Sequence, residues 1–130
     1  MLQTAWGALF RALRLQHGER LLIRGGTSSV GLAAAAIAKA HGAQAAATSR
    51  HETGKALILQ NGADCFFRDD GHIAPPAVRS AWPGGADKVL ELIGTTTLAD
   101  SLAATGEGGI VCMAGMVSDR WSIADSRQWT

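Results

Sequence analysis

From Arg24 to Ala40 the chain reads RGGTSSVGLAAAAIAKA: a strand end, a turn of small residues, then an alanine-rich helix. Gly26 and Gly31 bracket Thr27, Ser28, Ser29 and Val30. A G-x-G-x-x-G turn handles phosphate through its backbone. Its first glycine permits the bend, its second admits a pyrophosphate closely, and its third lets the helix pack on the strand. The helix mouth adds free N–H donors and partial positive charge. Here Ser28 stands where the middle glycine is expected, so a Cβ crowds the close-approach position. In exchange, the hydroxyls of Thr27, Ser28 and Ser29 can donate to phosphate or bridging water. By itself the motif also suits an ordinary tight turn with capping serines. Its place after the first strand of an alternating pattern favours nucleotide binding.

The second chemical clue lies further on, in ATSRHETGK. Sites for NAD carry an Asp or Glu about 20 residues after the glycine turn, where it accepts from the ribose 2′-OH. This chain has Ser49 and Arg50 at that strand end. A hydroxyl and a guanidinium suit a 2′-phosphate, and no carboxylate is there to repel it. Lys55 adds charge one helical turn on. An exposed arginine after a strand is common in any role, but the missing acid favours NADP over NAD.

Other chemistries find less support. His17, His41, His51 and His72 fall at turns or helix ends, where solvated imidazole is the simpler reading. The chain has no tyrosine, which excludes a Tyr-x-x-x-Lys constellation. No Cys, His and Glu grouping has the spacing of a catalytic zinc site. Asp64 and Asp69-Asp70 read as turn and strand-end carboxylates, and Trp6 and Trp82 as packing residues. No residue is assigned a catalytic role and none a metal-binding role. Cys65 and Cys112 sit in apolar runs without a CxxC partner, which suggests buried free thiols and a cytoplasmic setting.

These residues need a frame to hold them. With 130 residues, 47% apolar and 18% charged, the chain suits one packed domain and argues against disorder. A net charge of +1 gives no general attraction to nucleic acid or an anionic membrane, so neither is expected as a partner. No apolar stretch is long enough to span a bilayer, and the N-terminus lacks a signal-peptide layout. Along the chain, Thr4–Leu15 has helical apolar spacing, with Arg11 and Arg14 left for water. RLLIR, AQAAATS, DCFFR, ADKVLELIG and GGIVCMAG read as strands, although alanine is a poor strand former. Between them VGLAAAAIAKAHG, ETGKALILQNG, IAPPAVRSAW and TTTLADSLAAT read as helices. Gly42 and Gly62 stand as helix stops. Such alternation predicts right-handed crossovers and an α/β fold with a doubly wound parallel sheet. Its ligand crevice lies beyond the carboxyl ends of the strands. Those ends are Arg24–Ser29, Ser49–Arg50, Ile93–Thr95 and Ala114–Met116.

Taken together, TAWGALF, ERLLIRGGTSSVGLAAAAIAKAHGA, ALILQNGAD, GADKVLELIGTTTLADSL and GGIVCMAG resemble the medium-chain dehydrogenase/reductase superfamily, in its zinc-independent quinone oxidoreductase branch. The resemblance covers about Thr4 to Val117 and implies a Rossmann-type domain over 1–117, with strand order 3-2-1-4-5 and a C-terminal tail over 118–130. It implies NADPH-dependent hydride transfer to quinones, enones or related electrophilic carbonyl compounds. By position, Gly26–Gly31 would hold the pyrophosphate, and Ser49, Arg50 and Lys55 the 2′-phosphate end. Ile93 and Gly94 would lie near the adenosine ribose and linking phosphates, Ala114 and Gly115 near the nicotinamide half. Thr4 would lie near the carboxamide.

Three departures from the family pattern stand out. The family's N-terminal β-rich substrate domain has no counterpart in these residues, a sixth strand is expected to be missing, and Ser28 alters the turn. An absent sixth strand would leave the fifth as an open edge, on which a homodimer is expected. Two functions stay open: an oxidoreductase cofactor domain, not fully active without that substrate domain, or a non-catalytic nucleotide-binding or scaffold domain. A methyltransferase is a distant third, because it wants an acid after the second strand.

Overall fold

Left-handed glycines punctuate the chain as it alternates between helix and strand. A computed structural model describes residues 2–69, 78–113 and 122–125. Helix α1 (Leu2–Gly7) leads through a π-helical turn (Ala8–Ala12) to β1 (Arg20–Arg24) and α2 (Ser29–Ala40). Gly42, with φ of +83°, ends α2 and releases the chain into β2 (Gln44–Ser49). Gly62, with φ of +110°, does the same after α3 (Gly54–Gln60), and β3 (Cys65–Arg68) follows. The short α4 (Arg79–Ala81), β4 (Ala86–Glu91), α5 (Thr95–Ala104), β5 (Thr105–Met113) and β6 (Ser122–Asp125) complete the order.

The sheet runs β3-β2-β1-β4-β5-β6, and its first five strands are parallel, in the Rossmann-like order 3-2-1-4-5. Alternate residues of each strand serve opposite faces. Leu21, Ile23, Ala45, Ala47 and Leu90 pack with Leu9, Leu13, Val30, Ala34 and Ala38 beneath α1 and α2. Leu22, Ala46, Val89 and Val111 pack with Val78, Trp82 and Leu98 on the other side. The low-propensity β2 is explained by this double burial. Ala45, Ala46 and Ala47 are all at most 1% exposed, and their small side chains let helices approach from both faces.

Three expectations change. The regular helix expected over Thr4–Leu15 widens at Ala8, where Leu13 N–H donates to Ala8 O at 2.9 Å, a five-residue step. Arg14, with φ of +53°, then turns Leu15 back into the core. Trp6 is 52% exposed, not packed inside, and its ring lies 5.0 Å from that of Phe10. The edge of β5 is not open. Antiparallel β6 pairs with it from Ile110↔Asp125 to Met113↔Ser122, inside the stretch expected to be a tail. The hydrogen bonds that the dimer would have used at Ile110–Met113 are made within the chain. A sixth strand, expected to be missing, is thus present, in the antiparallel sense. The expected helix near Pro75 and Pro76, and His72, lie largely outside the described residues. Among the described residues no helix is long and apolar enough to cross a membrane.

Candidate cofactor-binding site

The β1–α2 turn divides its tasks between adjacent glycines. Gly25, with φ of +96°, makes the bend that the motif reading gave to Gly26. Gly26 is required for space: a Cβ there would lie 2.6 Å from the Ala47 Cβ. Its N–H donates to Thr48 O at 2.8 Å, tying the turn to β2. Gly31 fulfils the packing role, since a Cβ would come within 2.7 Å of Gly25 O and 2.9 Å of Gly26 Cα.

Ser28 is the N-cap of α2. Its Oγ accepts from Gly31 N–H at 3.0 Å and donates to Gly25 O at 3.0 Å. The hydroxyl has one proton, and it is spent on Gly25 rather than offered outward. The serine thus closes the turn on itself. Thr27 and Ser29 on either side are exposed. Among the described residues, the N–H groups of Ser29 and Val30 have no acceptor, as expected at the mouth of an uncovered helix. These open donors, with the dipole behind them, fit an anionic group of the phosphate kind.

The end of β2 meets this turn. A Cβ on Gly54, at the start of α3, would lie 2.7 Å from Ser49 Oγ and 2.8 Å from Thr27 Cγ2. Ser49 Oγ also accepts from His51 N–H at 3.2 Å. Arg50 and Lys55 are exposed beside this junction. On the other flank, Ile93 Cγ1 lies 3.4 Å from the position of a Cβ on Gly25. The strand ends therefore bring Gly26, Thr27, Ser28, Ser29, Val30 and Gly31 together with Ser49, Arg50, Lys55, Ile93 and Gly94. Thr4 is half-buried on α1, which packs on α2. Ala114 and Gly115 lie outside the described residues.

Behind the crevice lies a buried polar cluster that the sequence reading did not foresee. Arg24, fully buried, forks onto Asp69 through Nε at 2.8 Å and Nη2 at 2.9 Å. Its Nη1 reaches Asp100 Oδ2 at 2.6 Å and Ser101 Oγ at 3.2 Å. Burial works against the charge on Arg24. Asp69 and Asp100 outweigh it and hold the guanidinium above its ordinary value. Ser101 Oγ donates to Glu91 Oε1 at 2.5 Å. Glu91 Oε2 accepts from the N–H groups of Ile93 at 3.0 Å and Gly94 at 3.3 Å. Two amides expected near the cofactor are thus already held by the chain's own carboxylate. The available signal was modest: an arginine and a glutamate ending otherwise apolar strands.

A profile of the family described as zinc-binding dehydrogenase matches residues 29–128. A quinone oxidoreductase of Rattus norvegicus is 36% identical over 113 residues, 86% of this chain and 34% of that protein. Among solved structures, a mycobacterial protein complexed with NADPH aligns with a TM-score of 0.82 at 25% identity, covering 98% of this chain and 40% of that one. The CurK enoyl reductase aligns with a TM-score of 0.79 at 25% identity, covering 92% and 36%. The chain spans about a third of the length of the curated relatives it matches, 34% of the rat protein. Among the described residues no three His, Cys, Asp or Glu side chains form a group that could hold a metal. The profile match, together with the Rossmann-like sheet and its glycine turn, means that the chain belongs to the zinc-binding dehydrogenase family, as a cofactor-binding domain related to the quinone oxidoreductases.

Proposed function

We propose that this chain is the NADPH-binding domain of an oxidoreductase that passes hydride to a quinone or enone. The observation that carries the reading is the open pair of amides at Ser29 and Val30, beside a β2 end that offers Ser49 and Arg50 and no acid. In this reading those amides bind the pyrophosphate, helped by the exposed hydroxyls of Thr27 and Ser29. Ser49, Arg50 and Lys55 take the adenosine 2′-phosphate. NADPH, when bound, supplies the hydride; these residues orient it and contribute no proton. The relatives support the cofactor and the substrate class: one structure is complexed with NADPH, and others are a quinone oxidoreductase and an enoyl reductase. The free thiols of Cys65 and Cys112 fit a reducing, cytoplasmic setting.

Calorimetric titration tests the cofactor half. Arg50→Ala is expected to weaken NADPH by about 1.5–3 kcal/mol, the size of a lost hydrogen bond to a charged group, and to leave NADH unchanged. Equal losses for both would contradict the assignment of Arg50. Turnover of a small quinone tests the rest. Binding of NADPH with no turnover would count against the oxidoreductase half of the reading.

A further inference from the structure

A continuous run of hydrogen bonds crosses the sheet beneath the crevice. Gly25 N–H donates to Thr48 Oγ1 at 3.0 Å, and Thr48 Oγ1 donates to Asp69 Oδ2 at 3.4 Å. Asp69 is held by Arg24, and Arg24 reaches across to Ser101 and Asp100 on α5. Ser101 passes to Glu91, and Glu91 ends on the amides of Ile93 and Gly94. One end of the run is therefore the backbone of the β1 turn, and the other is the β4–α5 loop.

We propose that Arg24 is a positioning residue that holds the β1 turn and the β4–α5 loop in fixed relation, so that both flanks of the crevice are preset. The cofactor role of the β1 flank rests on the NADPH reading above; the mechanical role of Arg24 does not. Burying this many charges is a poor route to stability. Arg24 and Glu91 are fully buried, and the side chains of Asp69 and Asp100 are only 2% and 10% exposed. Well-packed apolar residues of similar volume serve stability as well or better. What an apolar core cannot do is fix loop amides at named distances. Arg24 is suited to that task because its planar fork grips Asp69 with two donors and leaves a third nitrogen for α5. Every buried side-chain nitrogen and oxygen among the described residues has a partner, so the cluster is fully satisfied and rigid.

Hydrogen exchange on the full chain, read amide by amide, tests this directly. Ser101→Ala cuts the run at a neutral member and leaves the charges in place. It is expected to speed exchange at Ile93 and Gly94 by about tenfold while Leu22 and Ile23 keep their protection, a local opening and not global unfolding. Ser101→Thr, which keeps the hydroxyl, is expected to restore the slow rate. Arg24→Lys loses the fork and is expected to speed exchange at Gly25, Ile93 and Gly94 together. In parallel, NADPH Kd is expected to rise about tenfold in Arg24→Lys, as misplacement of a binding group by a fraction of an ångström would produce. Folded variants with unchanged exchange at those three amides would overturn the proposal. If the wild-type chain binds no NADPH, the cofactor reading fails, and the exchange rates still decide whether Arg24 sets the loops. Should Arg24→Lys not fold, the Ser101 pair decides alone.

Discussion

The loops after β1 and after β4 look alike and are not equivalent. Each contains at least one glycine, each opens a helix, and each lies at the carboxyl end of a central strand. After β1, the cap of α2 is a neutral serine that satisfies Gly31, and the amides of Ser29 and Val30 stay open. After β4, the glutamate ending the strand turns back and occupies the amides of Ile93 and Gly94. One loop thus leaves helix-mouth amides open to an outside anion, whereas the other gives the two amides just before its helix to an internal carboxylate.

The comparison breaks most sharply at Gly31. Gly31→Ala places a methyl against the carbonyl of Gly25 and the Cα of Gly26, both backbone atoms that cannot swing aside. A loss of about 1–3 kcal/mol is expected in urea unfolding, from overpacking, along with most NADPH binding. Gly94→Ala is the partner experiment. A Cβ there meets nothing, and the cost comes from its φ of +139° alone. Unfolding is again the readout, and NADPH affinity should fall far less than in Gly31→Ala. Equal losses of binding in the two variants would erase the distinction between the loops.

A smaller effect is expected at the cap. Ser28→Ala removes the acceptor for Gly31 N–H and should lower stability by about 1 kcal/mol, as loss of an N-cap does. Its NADPH affinity should stay close to that of the parent chain, because the Ser28 proton already belongs to Gly25. A loss of affinity matching that of Arg50→Ala would show instead that this hydroxyl touches the cofactor.

The two thiols give the mildest contrast. Burial pushes Cys112 up to about 11, so it stays protonated near neutrality, whereas Cys65 is only half-buried. Alkylation of the folded chain at pH 8 should mark Cys65 well before Cys112. The sign for stability follows from the raised value. Below the ordinary 9.0 both states keep the proton, and between there and about 11 the unfolded chain loses it first, so stability declines as pH rises. Equal labelling of both thiols would contradict the burial of β5.

The parts of this molecule legible in its sequence are those set by local rules. Gly42 and Gly62 stop helices because left-handed backbone suits them, and the apolar strand runs declare a sheet covered on both faces. The alternation of these elements declares the parallel sheet, and the family resemblance implies its strand order. Local rules also found the turn, but they assigned the bend to Gly26 when the neighbouring Gly25 makes it. They failed where partners are distant in the chain. Arg24 meets Asp69 and Ser101 across 45 and 77 positions, so no window of sequence shows that this arginine and that strand-end aspartate are buried as a pair. Strand β6 escaped for a related reason. Four residues of mixed polarity become a strand only because β5 offers an edge, in the antiparallel sense, to pair with.

Backbone amide spectroscopy during titration with NADPH tests the cradle most directly. Saturable shifts centred on Ser29 and Val30, with Ile93 and Gly94 moving little, are the expected result, and NADH should bind more weakly. Shifts centred on Ile93 and Gly94 with Ser29 and Val30 unmoved, or no saturable shift at all, would contradict it.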